Sequence, residues 1–288
     1  MVGLRVKRSA IGAPAIERVE ARVRRELVTV LMRLGDLDAA RITRRLIPTG
    51  LKHLNSVDQA SHILTLQEMQ AEIDDDCEGM KRVSERMAEE LGKTHPYTIR
   101  TGCKYALLLP KGSDEAIRQT LKNHSESQED YGKMYAGTIN AAMALIRCLV
   151  NRGERKDLEK AWKTMEEDVL QTGAADRFGK NAPESLEIGF QYIIIRARLQ
   201  KFDKIERYAA IEKVQKILKA VSETHGRKHP TFFRVTFGYI MLIDDRKSAL
   251  KQMQALQREA KDCLRKDNRE LLRINEVLKG TNIFSKSL

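Results

Sequence analysis

Leu91-Gly92-Lys93-Thr94-His95-Pro96-Tyr97-Thr98 reads as the end of one helix and the start of another, and its pattern returns along the chain. Tyr131-Gly132-Lys133 leads to Thr138, Phe178-Gly179-Lys180 leads to Pro183 and Ser185, and His225-Gly226-Arg227 leads to Pro230. Glycine ends a helix in a left-handed backbone state that other residues avoid. Proline suits the first turn of the next helix, where its missing N–H had no partner. The junction glycines stand 40, 47 and 47 residues apart, an interval that holds two helices with two tight connections and marks a stacked-repeat protein.

The register after each glycine is consistent. Seven residues on are Ile99, Ile139, Leu186 and Phe233, and eleven on are Cys103, Met143, Phe190 and Phe237. Thirteen on are Tyr105, Leu145, Tyr192 and Tyr239, and fourteen on are Ala106, Ile146, Ile193 and Ile240. Each unit therefore opens with a helix apolar on most of its circumference, which must be buried on several sides. Ten residues on, Gly102, Ala142, Gly189 and Thr236 are small or short, so neighbouring helices can approach closely.

Breaks at Pro110-Lys111-Gly112, Arg152-Gly153, Lys201-Phe202-Asp203 and Asp244-Asp245 precede second, more polar helices. These are expected at Asp114–Gln128, Arg155–Gln171, Lys204–Thr224 and Lys247–Leu264. Upstream, the pattern predicts helices over Ala15–Leu34 and Leu37–Ile47, then a pair across 51–91 punctuated by Asp74-Asp75-Asp76. On the first helix, Ile16, Val19, Val23, Leu27, Val30, Leu31 and Leu34 form the expected core stripe. The organisation read from these signals is a basic flexible arm over 1–14 and a repeat domain over 15–279. Its units are 15–49, 50–91, 92–131, 132–178, 179–225 and 226–265, followed by a capping helix over 266–279 and a frayed tail over 280–288.

The junctions Leu91-Gly92-Lys93-Thr94-His95-Pro96 and His225-Gly226-Arg227-Lys228-His229-Pro230 resemble those of tetratricopeptide repeats of the kinesin-light-chain type. Ala106 matches the small residue that family places late in its first helix, and Ala116 and Ala249 match the alanine early in its second. The resemblance covers about residues 50–265 and is divergent: His-Pro is complete in two junctions, and Ile146, Ile193 and Ile240 replace the small residue. It implies an all-α fold, a right-handed superhelical solenoid of about six antiparallel helix pairs plus a C-terminal capping helix. It also implies a concave wall of first helices that holds a peptide.

Composition agrees with helices. Aromatic residues make up only 5% and there are six prolines, too few for a strand-and-turn protein. The net charge of +12 is uneven: residues 1–50 carry +6, 51–195 carry −5 and 196–288 carry +11. Basic ends attract acidic partners such as RNA, anionic lipid or an acidic protein surface, and otherwise serve as solvated helix faces. Cys77, Cys103, Cys148 and Cys263 form no C-x-x-C clip and are read as reduced thiols of an intracellular protein. No run approaches the ~18 apolar residues of a membrane span. A cytoplasmic location is expected, with an organelle such as the mitochondrion as the alternative, because Arg5, Lys7, Arg8, Arg18, Arg22, Arg24 and Arg25 face only Glu17 and Glu20.

No catalytic constellation is found, and no cofactor or metal is expected. Gly92-Lys93, Gly132-Lys133 and Gly179-Lys180 lack the upstream glycine and the strand of a phosphate loop. His225 and His229 straddle a helix break, and the acidic triplet lacks the alternating spacing of a calcium loop. Polar residues on the otherwise apolar opening helices are the candidate partner-binding set: Arg100, Lys104, Asn140, Arg147, Glu187, Gln191 and Arg234. They lie eight, twelve or fifteen residues after a junction glycine, positions that share one helix face. Arginine and lysine there suit the carboxylates of an acidic peptide, and Asn140 or Gln191 its backbone; an ordinary solvated stripe gives the same pattern. Two main functions stay open, with microtubule or membrane-surface binding through the basic ends as a third option. One is a non-catalytic protein-interaction scaffold or adaptor, which includes the role of a peripheral subunit of a large assembly. The other is a nucleic-acid-associated repeat protein of a ribosomal or RNA-processing particle using its basic ends. Against the second, aromatic residues are few and the groove positions carry no repeated polar code.

Overall fold

The computed structural model describes residues 13–33, 37–49, 56–179, 182–199, 204–228, 230–243, 245–264, 266 and 268–284. Among them the chain is all-helical, without strands, and neighbouring helices pack on one another in chain order. It forms two compact units, divided between Thr101 and Gly102, where the sequence suggests one continuous repeat domain.

The first unit contains α1 (Ala13–Arg33), α2 (Leu37–Arg45), α3 (Ser56–Asp74), α4 (Cys77–Glu90) and the beginning of α5 (Pro96–Leu108). Helix α3 is buried on two sides. Leu66, Met69 and Ile73 pack with Ala21 and Val28 of α1 and with Ala40 and Ile47, while Leu64 packs with Val83 and Met87 of α4. The expected core stripe of α1 is largely turned outward: Val19, Val23, Leu27 and Val30 are exposed. Ala21, Val28, Leu31 and Met32 form the packing face instead. The acidic triplet serves local structure. Asp76 caps α4 by accepting from the Gly79 N–H at 2.9 Å, and Asp74 pairs with Arg41 at 3.0 Å.

The second unit contains the end of α5, then α6 (Asp114–Tyr131), α7 (Ala136–Arg152), α8 (Arg155–Thr164), α9 (Ala174–Phe178), α10 (Pro183–Arg198), α11 (Lys204–His225), α12 (Pro230–Ile240), α13 (Arg246–Cys263) and α14 (Arg269–Phe284). Helix α8 continues as a π-helical turn over Met165–Leu170, for which the sequence carries no signal. Helix α14 is longer than expected and includes part of the segment read as a frayed tail. Residues 285–288 and most of the expected arm, 1–12, lie outside the described residues.

The junction chemistry explains where the opening helices start. Gly92, Gly132, Gly179 and Gly226 all have φ between +76° and +97°, and α5, α7, α10 and α12 each begin four residues later. The recurring hydroxyl secures the junction. Thr98 donates to the Gly92 carbonyl at 2.9 Å, Thr138 to the Ser127 carbonyl at 3.1 Å and Ser185 to the Ala175 carbonyl at 2.8 Å. Each bond satisfies a carbonyl in the connection or in the helix before it. The residues seven, eleven and fourteen after the glycines are all buried. Two glycines of the opening helices are closely approached by another helix: a Cβ on Gly102 would lie 2.7 Å from the Asn123 amide, and one on Gly238 would collide with the Phe190 ring.

Candidate functional site

Helices α7, α10 and α12 start at equivalent junctions and therefore present equivalent register positions. In the second unit Arg147 of α7, fifteen residues after its glycine, meets Glu187 and Gln191 of α10, eight and twelve after theirs, and Arg234 of α12, eight after its own. Glu187 is the hub. Its Oε2 lies 2.5 Å from Arg234 Nη2, its Oε1 lies 3.8 Å from Arg147 Nε, and Gln191 Nε2 donates to Oε1 at 2.9 Å. Burial alone would push the Glu187 carboxyl up; Arg234 and Arg147, with Gln191, outweigh it and hold the group below the usual carboxylate range.

Beside this cluster is a cavity of about 340 Å³, the size of a small-ligand site. Its apolar lining includes Leu107, Val150, Phe190, Ile194, Phe237 and Met241. Its cationic lining consists of Lys111, Arg147, Arg198, Arg234 and Arg273. Helix α14 completes it. Arg273 stacks over the Phe237 ring at 4.4 Å, Glu270 lines the cavity, and Glu276 receives Lys111 Nζ at 3.2 Å. Arg198 donates to the Val150 carbonyl.

The cations are under-compensated. Burial, then the charge of Arg234, pushes Arg147 down to about 10 despite Glu187 and Glu270. Burial also lowers Arg273, Arg198 and Lys111, with a neighbouring cation adding to the effect in each case. Three buried polar atoms at the site have no hydrogen-bond partner: Arg234 Nε, Gln191 Oε1 and Glu270 Oε2. Buried polar atoms are rarely left so, and a bound group carrying acceptors and a donor would satisfy them.

The other three sequence candidates do not line the cavity. Arg100 belongs to the first unit. It binds Glu68 through two bonds, Nε–Oε1 at 3.2 Å and Nη2–Oε2 at 2.6 Å, and lies over the Tyr97 ring at 4.9 Å. Glu68 is 1% exposed, so this pair neutralises a buried carboxylate. Lys104 is half-buried and Asn140 is exposed, both away from the cavity lining. Conversely, Lys111, Arg198 and Arg273 line the cavity without belonging to the candidate set read from sequence. Lys111 sits in a helix break, Arg198 ends α10, and Arg273 lies on the last helix, so no shared register position marks them.

No protein-family model matches this chain, and no curated protein matches it in sequence.

Proposed function

We propose that this chain is a non-catalytic protein-interaction scaffold whose second unit takes an acidic segment of a partner in the cavity between α7, α10, α12 and α14. The helix pairs are read as a divergent tetratricopeptide-type, right-handed superhelical solenoid, on the strength of the recurring junction and its left-handed glycines. The observation that carries the function is the convergence of Arg147, Gln191 and Arg234, from three equivalent helices, on a cavity with apolar lining residues and buried polar atoms that lack a hydrogen-bond partner. Arginine forks suit carboxylates, and the apolar lining residues give the flanking side chain a place to pack.

The test is affinity capture by the full chain and by Met241→Glu, with and without nuclease, partners being identified by mass spectrometry. Met241 lines the cavity yet is exposed, so the added carboxylate opposes an acidic partner without burdening the core. Nuclease-insensitive partners lost from Met241→Glu are expected. Capture that vanishes with nuclease and falls steeply with salt would replace this reading with nucleic-acid association through the basic ends.

A further inference from the structure

We infer that the cavity of the second unit is a dianion site, built for a phosphate monoester on an apolar stem. The inference rests on the reading of this cavity as the binding site and adds the class of anion it selects.

Charge decides between a carboxylate and a phosphate. Five cations line the cavity, and three carboxylates are paired with cations of this set: Glu187 with Arg234 and Arg147, Glu270 with Arg273 at 4.0 Å, and Glu276 with Lys111. That leaves a surplus of two positive charges. A single carboxylate would neutralise half of it, whereas a phosphate monoester carries about −1.5 to −2 at neutral pH.

Donor geometry points the same way. Arg234 engages Glu187 through Nη2 while its buried Nε is unused. Arg147 holds Glu187 only at 3.8 Å. Arg273 is stacked on Phe237, which fixes its guanidinium beside an apolar lining residue. Three guanidiniums thus offer a phosphate more N–H donors than a two-oxygen carboxylate can use. The stem packs against Phe190, Phe237 and Met241.

A phosphorylated side chain and a free phosphorylated metabolite share this chemistry. The experiment is calorimetric titration of the full chain with phenyl phosphate, inorganic phosphate and benzoate. Saturable binding of phenyl phosphate is expected, at least tenfold tighter than either control. It should weaken at least tenfold in Arg147→Met and in Met241→Glu; the second keeps the test valid if the first does not fold. A phosphotyrosine pentapeptide is compared with free phosphotyrosine to separate the sources: tighter peptide binding assigns the site to a partner chain, tighter free amino acid to a metabolite. Absence of phenyl phosphate binding, equal binding of benzoate, or binding unchanged in Met241→Glu overturns the inference. If phenyl phosphate fails while Met241→Glu still loses its protein partners, the phosphate assignment falls and the scaffold reading stands.

Discussion

Arg234 Nη2 lies 2.5 Å from Glu187 Oε2 and joins α12 to α10 across 47 residues of sequence. The two positions are each eight residues after a junction glycine, so the repeat itself aligns opposite charges on neighbouring opening helices. Removing the carboxylate leaves Arg234 and Arg147 facing each other in a largely buried site. Glu187→Gln is expected to cost about 3 kcal/mol at pH 7, the scale of breaking a buried pair. Because the folded pKa of Glu187 is depressed, its contribution is present above the ordinary carboxylate range and is lost as pH falls through the folded value. Urea unfolding at pH 7 and at pH 3 checks this: the gap between wild type and variant should shrink at the lower pH.

The buried histidines make a second pH-dependent contribution. His62 Nε2 lies 2.9 Å from the Pro48 carbonyl and donates to it in the neutral ring, while Nδ1 has no partner. His124 sits 3.7 Å from Asp168, which Lys133 also binds at 2.8 Å. Burial lowers the pKa of both histidines; Arg25 and Arg44 reinforce this at His62, and Lys133 does so at His124. The unfolded chain therefore takes up protons first, so stability present above about pH 6.5 declines as pH falls toward the folded values. The double variant His62→Gln/His124→Gln should show a flatter melting temperature between pH 7.5 and 5.5 than wild type. Identical slopes would contradict this account.

Helix α1 offers a direct comparison of its two apolar faces. Val28 is fully buried, whereas Val19 is 59% exposed. Val28→Ala should destabilise the first unit by about 2 kcal/mol through lost burial and a residual cavity. Val19→Ala should remain within about 0.5 kcal/mol of wild type. Chemical denaturation of the two variants measures both, and equal losses would reverse the assignment of the packing face.

Two left-handed glycines should respond differently to an added methyl. Gly132 has φ +76° with open space where a Cβ would point, so Gly132→Ala should cost only about 1 kcal/mol of backbone strain. Gly112 has φ +65°, and a Cβ there would lie 2.7 Å from the Arg152 Cα. Gly112→Ala adds a clash with backbone and should cost about 2 kcal/mol or more. Thermal melts of the two variants rank them.

Much of the helix pattern was legible from residues alone, because helix ends and buried faces follow local chemistry. A glycine at positive φ, a proline or small residue four positions later and a 3.6-residue apolar period act within one or two turns. They mark the starts of α5, α10 and α12 and the buried positions Ile99, Phe190, Phe237 and Ile146. Four of the seven site candidates, Arg147, Glu187, Gln191 and Arg234, share one cluster: Glu187 and Arg234 occupy the same register position on α10 and α12, and Arg147 and Gln191 lie on the same face of their helices.

Tertiary packing decided the rest. Helix α1 carries two apolar stripes, and periodicity cannot say which one its neighbours will cover. Arg100 and Arg234 occupy the same register position, yet one neutralises Glu68 in the first unit and the other helps line a cavity in the second. Lys111, Arg198 and Arg273 reach that cavity from a connection, a helix end and the last helix. Sequence determined where this backbone could turn and which faces avoid water; the long-range placement of α14 against α12 determined which charges meet, since Coulomb interactions depend on distance in space and on exclusion of solvent.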